Sequence, residues 1–144
     1  MKKIILLNIV LLFSLHLMAQ DNDGHRERIH ALKTAFITDG LDLTSEEAQK
    51  FWPIYNNYTK KRSELYRREH SDIEDLECIS EAEANDMLQE YVEIEKQDFL
   101  LKKKFYEELR QIFSAQKIIR LKKVEDDFNK KMIKEYRERH RKSS

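Results

Sequence analysis

Histidine and acidic side chains are the residues of this sequence that could bind a metal ion. Beyond residue 19, the histidines stand at positions 25, 30, 70 and 140. His25 and His30 are five residues apart, whereas a spacing of four would place both imidazoles on one face of a helix. His70 follows Glu69 and precedes Glu74 by four residues, which is enough for a weak ion site only. We interpret these histidines as exposed helix residues and predict neither a specific metal site nor a cofactor.

The motifs on which catalysis most often depends are absent from the sequence. There is no Gly-rich phosphate loop, no CxxC pair and no HExxH. The carboxylates are instead spread at helical spacing from Lys or Arg, as Glu64 is from Arg68, which is typical of a solvated helix face. Cys78 is the single cysteine; we interpret it as a free thiol, with a bridge between two copies as the alternative. We therefore predict a protein that is not an enzyme, with no catalytic residues and no small-molecule substrate.

Composition and charge indicate long helices. Charged residues make up 38% of the chain, and there are only 2 Gly and 1 Pro. The 27 Lys and Arg are balanced by 27 Asp and Glu, so the chain lacks the excess positive charge with which proteins bind nucleic acid. The fold class that we predict is all-α, with four long helices and no nucleic-acid partner.

The first residues have the pattern of a secretory signal. Two lysines precede a 15-residue apolar run, and Ala19 stands before the polar sequence QDND. The apolar run is shorter than the ~20 residues of a membrane span and contains Asn8 and His16. We predict cleavage after Ala19, a periplasmic location and a single helical domain over residues 20–144, with an uncleaved anchor as the alternative.

Apolar periodicity predicts the first helix of this domain over residues 26–39. Gly40 is expected to end it in the left-handed conformation, which a glycine adopts without steric cost. The residues expected on its inward face are Ile29, Leu32, Ala35 and Phe36.

Serine or threonine residues mark the starts of the other three helices. Thr44 and Ser80 each have a Glu three residues later, which completes a capping box. Ser114 has Lys117 at that place instead. The second helix is expected to extend as far as residue 77, and the third to cover residues 81–112. The residues that we expect to be buried along the third helix are Met87, Leu88, Tyr91, Val92, Ile94, Phe99, Leu101, Phe105, Leu109 and Ile112.

Pro53 lies inside the second predicted helix, directly after Trp52. Trp52 has no side-chain oxygen with which to cap a new helix, so we predict one continuous helix that is kinked at Pro53. Such a kink costs roughly 3 kcal/mol. It falls among Phe51, Trp52, Tyr55 and Tyr58, which we expect to pack in the core; an exposed groove for client proteins is the alternative.

Two segments of the sequence resemble the LTxxQ-motif exported helical proteins, the Spy and CpxP group. LTSEEAQKFWPIYNNY is followed about seventy residues later by IFSAQKIIRLKKVEDDF. The chain looks most similar to the Bacteroidota proteins described as sensors of ECF-type sigma factor or periplasmic heavy-metal sensors. The residues that carry the motif are Leu43, Thr44, Glu47, Phe51, Trp52, Pro53, Tyr55, Phe113, Ser114 and Lys117. Glu47 and Lys117 stand where the family has Gln, and Phe113 and Ser114 replace the Leu-Thr of the second motif.

This resemblance implies four long, bent helices in a bowed hairpin arrangement. In Spy-like members, two protomers pair antiparallel into a curved cradle that holds unfolded clients. The resemblance therefore implies a homodimer that binds protein clients or a membrane-bound regulator, as a chaperone or a modulator of signalling in the envelope stress response. The alternative is a sensor component that acts on an ECF sigma and anti-sigma system and responds to metal.

The last predicted helix ends in a basic run, NKKMIKEYRERHRK, at residues 129–142. The run holds seven Lys or Arg and two Glu. A solvated tail is the ordinary interpretation of such a run. The alternative is contact with anionic lipid head groups or acidic client segments, through an attraction that salt weakens.

Overall fold

The computed structural model describes residues 20–70 and 79–142, and every regular element in these ranges is an α-helix. The helices are α1 (Gln20–Gly40), α2 (Ser45–His70), α3 (Glu81–Leu109) and α4 (Ala115–Lys142). The all-α prediction is thereby confirmed for this part of the chain. Within it, every helix is too polar or too short to traverse a bilayer. The predicted signal, Cys78 and the predicted end of the second helix at residue 77 lie outside the described residues.

Helix α1 begins earlier than the sequence predicts and ends differently. It includes Gly40 as its last helical residue, and no described glycine has a positive φ. The left-handed residue is Asp42, with φ 48°, a conformation that Asp tolerates better than most residues. The prediction that Gly40 ends the helix in the left-handed conformation is therefore wrong. Gly40 is instead a site of close approach, because a Cβ there would lie 2.8 Å from Cγ1 of Val124.

One compact unit combines α1 and the following residue Leu41 with α4 from Lys123 onward. The two helices run antiparallel, since Gly40 lies against Val124 while Phe36 packs on Phe128 with ring centroids 5.6 Å apart. The buried side chains of this unit are Ile37, Leu41, Val124 and Phe128. Leu32 and Ala35, which were expected to face inward, are exposed, because the buried face of α1 passes through Ile37 instead.

The second compact unit, Asp42–Lys122, contains α2, α3 and the first residues of α4. Helices α2 and α3 are antiparallel neighbours. Tyr58 stacks on Phe105 with ring centroids 4.0 Å apart, and further along α2 Arg68 binds Glu90 at 2.6 Å. Among the described residues, the buried side chains are all aliphatic or aromatic. The two helices are therefore held together by apolar and aromatic contacts, and the ion pairs between them lie at the exposed edge of the contact.

Helix α3 buries less than the sequence predicts. It ends at Leu109, three residues short of the predicted boundary, and only Ile94, Phe105 and Leu109 are buried along it. Leu88, Val92 and Phe99 were expected inside, but 61%, 71% and 63% of their surfaces are exposed. At ~100° per residue, these three lie about 100° or more around the helix from Ile94 and Phe105, which face α2. One neighbouring helix covers one face only, so the opposite apolar face of α3 stays in solvent.

Helix α2 continues through Pro53 without interruption, as predicted. Pro53 and Gln49 are both exposed. Proline has no N–H to donate to the Gln49 carbonyl, and on this exposed face water can satisfy that carbonyl instead.

Candidate functional site

The two motif segments begin α2 and α4 with side-chain caps. The Thr44 N–H donates to the Glu47 carboxylate at 3.0 Å, and the Glu47 N–H donates to the Thr44 hydroxyl at 3.2 Å. This reciprocal pair is the predicted capping box. At the start of α4 the Lys117 N–H donates to the Ser114 hydroxyl at 3.3 Å, so the predicted serine cap is also confirmed.

The two residues that depart from the family's Gln bind each other. Nζ of Lys117 donates to both oxygens of the Glu47 carboxylate, at 2.8 and 2.9 Å, across 70 residues of sequence. The hydrogen bond from Lys117, followed by that from the Thr44 backbone, holds the pKa of Glu47 below its ordinary value. One carboxylate thus caps α2 and ties the start of α2 to the start of α4. We call this contact the Glu47–Lys117 clamp.

The aromatic residues of the motif form a core cluster beside the clamp. Phe51 is fully buried, and its ring centroid lies 4.9 Å from that of Trp52, 5.1 Å from Tyr55 and 5.5 Å from Phe113. Nζ of Lys117 lies 5.1 Å from the centre of the Phe113 ring. Tyr55 and Phe113 are also buried, and Trp52 is half-buried. The predicted core position is therefore confirmed for Phe51, Tyr55 and Tyr58, and the alternative that these three form an exposed groove is wrong.

Of the remaining motif residues, Leu43 is half-buried and Pro53 is exposed. The structure thus brings most of the predicted family residues into one joint between two helix starts. This joint is built of caps, an ion pair and aromatic rings in tilted or edge-to-face contact.

A second surface was missed by the sequence reasoning. Leu88, Val92, Phe99 and Tyr106 lie along one side of α3, and all four are exposed, Tyr106 least at 37%. We call this set the α3 stripe. Val92, Phe99 and Tyr106 are spaced by seven residues, close to two turns, which places them on one side of the helix. That heptad spacing is the signal in the sequence that could have identified the surface.

Two shallow clefts adjoin the α3 stripe. One has a volume of about 400 Å³ and includes Val92, Tyr91 and His70 in its lining. The other, of about 370 Å³, is lined by Tyr106, Ile118 and Ile119 together with the long side chains of Arg110 and Lys122. The stripe is thus a ridge with a shallow cleft near each end. A helix or an extended polypeptide could lie along a surface of this shape.

The histidines do not form a metal centre within the described ranges, where no three His, Cys, Asp or Glu side chains come together. His70 stacks on Tyr66 with centroids 4.0 Å apart, and its Nδ1 lies 2.9 Å from the Tyr66 carbonyl oxygen. Glu69 is 3.8 Å from the same nitrogen. His140 packs against the ring of Tyr136 at 4.2 Å. Each of these two rings is therefore held by its own helix.

The two features that the geometry offers are the motif joint and the α3 stripe. Membership of the LTxxQ group remains a prediction from residues 43–55 and 113–117. No protein-family model matches this chain, and no curated protein and no solved structure matches it either.

Proposed function

We propose that this chain is an exported, non-enzymatic protein-binding protein of the LTxxQ type, which serves the envelope stress response as a chaperone or a modulator of stress signalling. The observation that supports the proposal is the α3 stripe. Val92 and Phe99 expose 71% and 63% of their surfaces on a helix whose other face is packed. Large apolar side chains exposed in a row on one side of a helix favour a surface that binds another protein.

The dimensions of the α3 stripe favour a polypeptide as its partner. From Leu88 to Tyr106 the stripe extends roughly 27 Å at ~1.5 Å per residue. Glu95 and Lys103 lie along it and are exposed. A ridge of apolar side chains flanked by both charges suits an amphipathic segment better than a small molecule, which would need an enclosed pocket.

The stripe is also self-complementary, which supports the homodimer that the resemblance implies. In an antiparallel pair centred on Phe99, Val92 of one copy faces Tyr106 of the other. In the same register, Glu95 faces Lys103 with opposite charge. Such twofold pairing is the usual geometry of homodimers. A bend of α2 at Pro53 and the bowed arrangement of Spy-like proteins belong to the same proposal.

The test replaces the apolar side chains of the stripe and measures aggregation. The variant carries Val92→Gln, Phe99→Gln and Tyr106→Gln, which keep good helix formers in α3. The matched control carries Leu32→Gln, Ile133→Gln and Tyr136→Gln, which are exposed apolar residues outside the stripe. We expect wild type and control to suppress light scattering by a denatured model protein, and the stripe variant to lose most of this activity.

The oligomeric state, measured by size-exclusion chromatography with light scattering, identifies the occupant of the stripe. If the stripe variant becomes monomeric as it loses activity, a second copy occupies the stripe; if the oligomer is unchanged, clients occupy it. Full activity of the stripe variant would contradict the proposal. No suppression by the wild type, with capture of a membrane-bound regulator, would favour the sensor alternative.

A further inference from the structure

Four basic side chains lie on one side of α4 near its end. Lys130, Lys134, Arg137 and Arg141 follow one another at intervals of four, three and four residues, so at ~100° per residue they fall within about 60° of the helix surface. All four are exposed. We call this set the α4 basic face.

The cations of this face differ from four lysines of α3, which form salt bridges to carboxylates of their own helix. Lys96, Lys102, Lys103 and Lys104 each lie within 4.0 Å of a carboxylate three or four residues away. Among the described residues, no carboxylate lies within 4.0 Å of any of the four cations of the α4 basic face, although Glu138 lies beside them. Lys130 is near enough to Asp127 to add to the effect of the Lys123 hydrogen bond, which lowers the pKa of Asp127. No salt bridge occupies these cations, so they can approach an external anion.

An exposed aliphatic side chain accompanies these cations. Ile133 is 52% exposed and lines a shallow cleft of about 220 Å³ together with the four cations and Glu138. Long cationic side chains next to an exposed aliphatic side chain are typical of helices that lie in the head-group region of a bilayer.

We propose that the α4 basic face binds the anionic surface of a lipid bilayer. All six residues that line its shallow cleft belong to one helix, so the face has no second wall with which to select a shaped protein partner. Laterally mobile phosphate head groups can arrange themselves around four long side chains, and Ile133 can enter the boundary between head groups and acyl chains. This proposal does not depend on the proposed function, because it uses other residues and another ligand.

The test is co-sedimentation with vesicles of phosphatidylglycerol and phosphatidylcholine in equal parts, compared with vesicles of phosphatidylcholine alone. The variant replaces the four cations of the basic face with Gln. The matched control replaces four lysines paired within their own helices, and therefore changes the net charge equally. These control positions are Lys50, Lys96, Lys102 and Lys104.

We expect wild type and control to bind the anionic vesicles, and the variant to bind at least about tenfold more weakly, since each cation near such a surface contributes binding free energy. Binding should also weaken as ionic strength rises from about 0.01 to about 0.15 M, because the Debye length falls from ~30 to ~8 Å. Circular dichroism would verify that both variants remain helical.

Equal binding by variant and wild type, or equal binding to neutral vesicles, would overturn the proposal. It would also be overturned if the wild type ignored the vesicles and bound polyglutamate through the same four cations, because the face would then recognise acidic polypeptides. Variant and control are prepared with the same residues 1–19. Any contribution of these residues to vesicle binding is therefore equal in both proteins and does not affect the comparison.

Discussion

At the scale of single residues, the two glycines of α1 have opposite surroundings. A Cβ at Gly40 would lie 2.8 and 2.9 Å from the two methyl carbons of Val124, closer than carbon atoms approach without displacement. Valine in a helix has essentially one rotamer, so its methyl groups cannot turn aside cheaply. A Cβ at Gly24, in the same helix, would meet no atom within 4 Å. Helix propensity favours alanine at both positions, and only packing distinguishes them.

We therefore predict that Gly40→Ala lowers the free energy of unfolding by about 1–3 kcal/mol, the usual cost of overpacking, despite its better helix propensity. Gly24→Ala should leave stability unchanged or raise it by up to about 1 kcal/mol. Urea denaturation measures both. Val124→Ala in the Gly40→Ala background should recover part of the loss, because it removes the methyl groups that collide. A Gly40→Ala protein as stable as wild type would show that α1 and α4 separate there at no cost.

At the scale of helices, the sequence predicts the hydrogen bonds that cap a helix but not which faces of the helices contact one another. The boxes at Thr44 and Ser80 form as predicted, since each requires only residues three positions apart; at Ser80 both hydrogen bonds are present. The exposure of Val92 and Phe99 was not predictable from periodicity, because an apolar face is buried only if a neighbour covers it. Likewise, the Glu47–Lys117 clamp joins residues 70 positions apart, which no local pattern specifies.

The prediction for Gly40 was wrong because it, too, depended on a residue that is distant in the sequence. Glycine is favoured both where φ is positive and where another chain segment approaches closely. The sequence alone does not distinguish these causes, because the collision depends on Val124, 84 positions later in the numbering (124 minus 40). Tertiary neighbours, which sequence periodicity does not reveal, decided each of these outcomes.

Pro53 allows the predicted bend of α2 to be tested. Pro53→Ala restores the N–H for the Gln49 carbonyl, and relief of a proline inside a helix is worth roughly 3 kcal/mol when nothing opposes it. If the bend positions Trp52 against Tyr55, the straightened helix loses those contacts. We then expect Pro53→Ala to raise the free energy of unfolding by less than about 1 kcal/mol and to change the near-ultraviolet circular dichroism. Trp52 is the only tryptophan, so this signal and its fluorescence report on the cluster.

Asn57→Ala is the matched control for this measurement, because Asn57 is another exposed position of α2. It should raise stability by no more than about 0.7 kcal/mol through helix propensity and leave the tryptophan signals unchanged. A Pro53→Ala protein stabilised by about 3 kcal/mol, with the tryptophan signals of wild type, would show that Pro53 has no role in the packing of this cluster.

At the scale of the whole molecule, five carboxyl groups of the described residues have pKa values below their ordinary values. Hydrogen bonds from Lys50, Lys117, the Ser80 backbone, Lys96 and Lys123 lower the pKa values of their respective acceptors. Those acceptors are Glu46, Glu47, Glu83, Glu93 and Asp127. A carboxyl group with a lowered pKa in the folded state stabilises the fold above its unfolded pKa, and this stabilisation is lost as pH falls through the folded value. Stability should therefore decline in acid.

The Glu47–Lys117 clamp allows this acid dependence to be assigned. Lys117→Gln removes the largest cause of the shift, so we expect the pKa of Glu47 to rise toward its ordinary value near 4.5. It should stay somewhat below 4.5, because the Thr44 N–H still donates to Glu47. Glu83, whose pKa is lowered by Ser80 and not by a lysine, is the internal control and should not move.

Carbon-detected NMR titration of the glutamate carboxyl groups measures both residues in one sample. Lys117→Gln and Glu47→Gln should each lower the free energy of unfolding at neutral pH. The difference from wild type should shrink as pH falls below about 4.5, because protonated Glu47 no longer attracts Lys117 in the wild type. The double variant, which carries Gln at both places as the resembling family does, should lose less than the sum of the single losses. An unmoved pKa of Glu47 in Lys117→Gln would mean that the clamp is absent in solution, and the contact between the Phe51 and Phe113 rings and the Arg120–Asp42 ion pair would then hold the starts of α2 and α4 together.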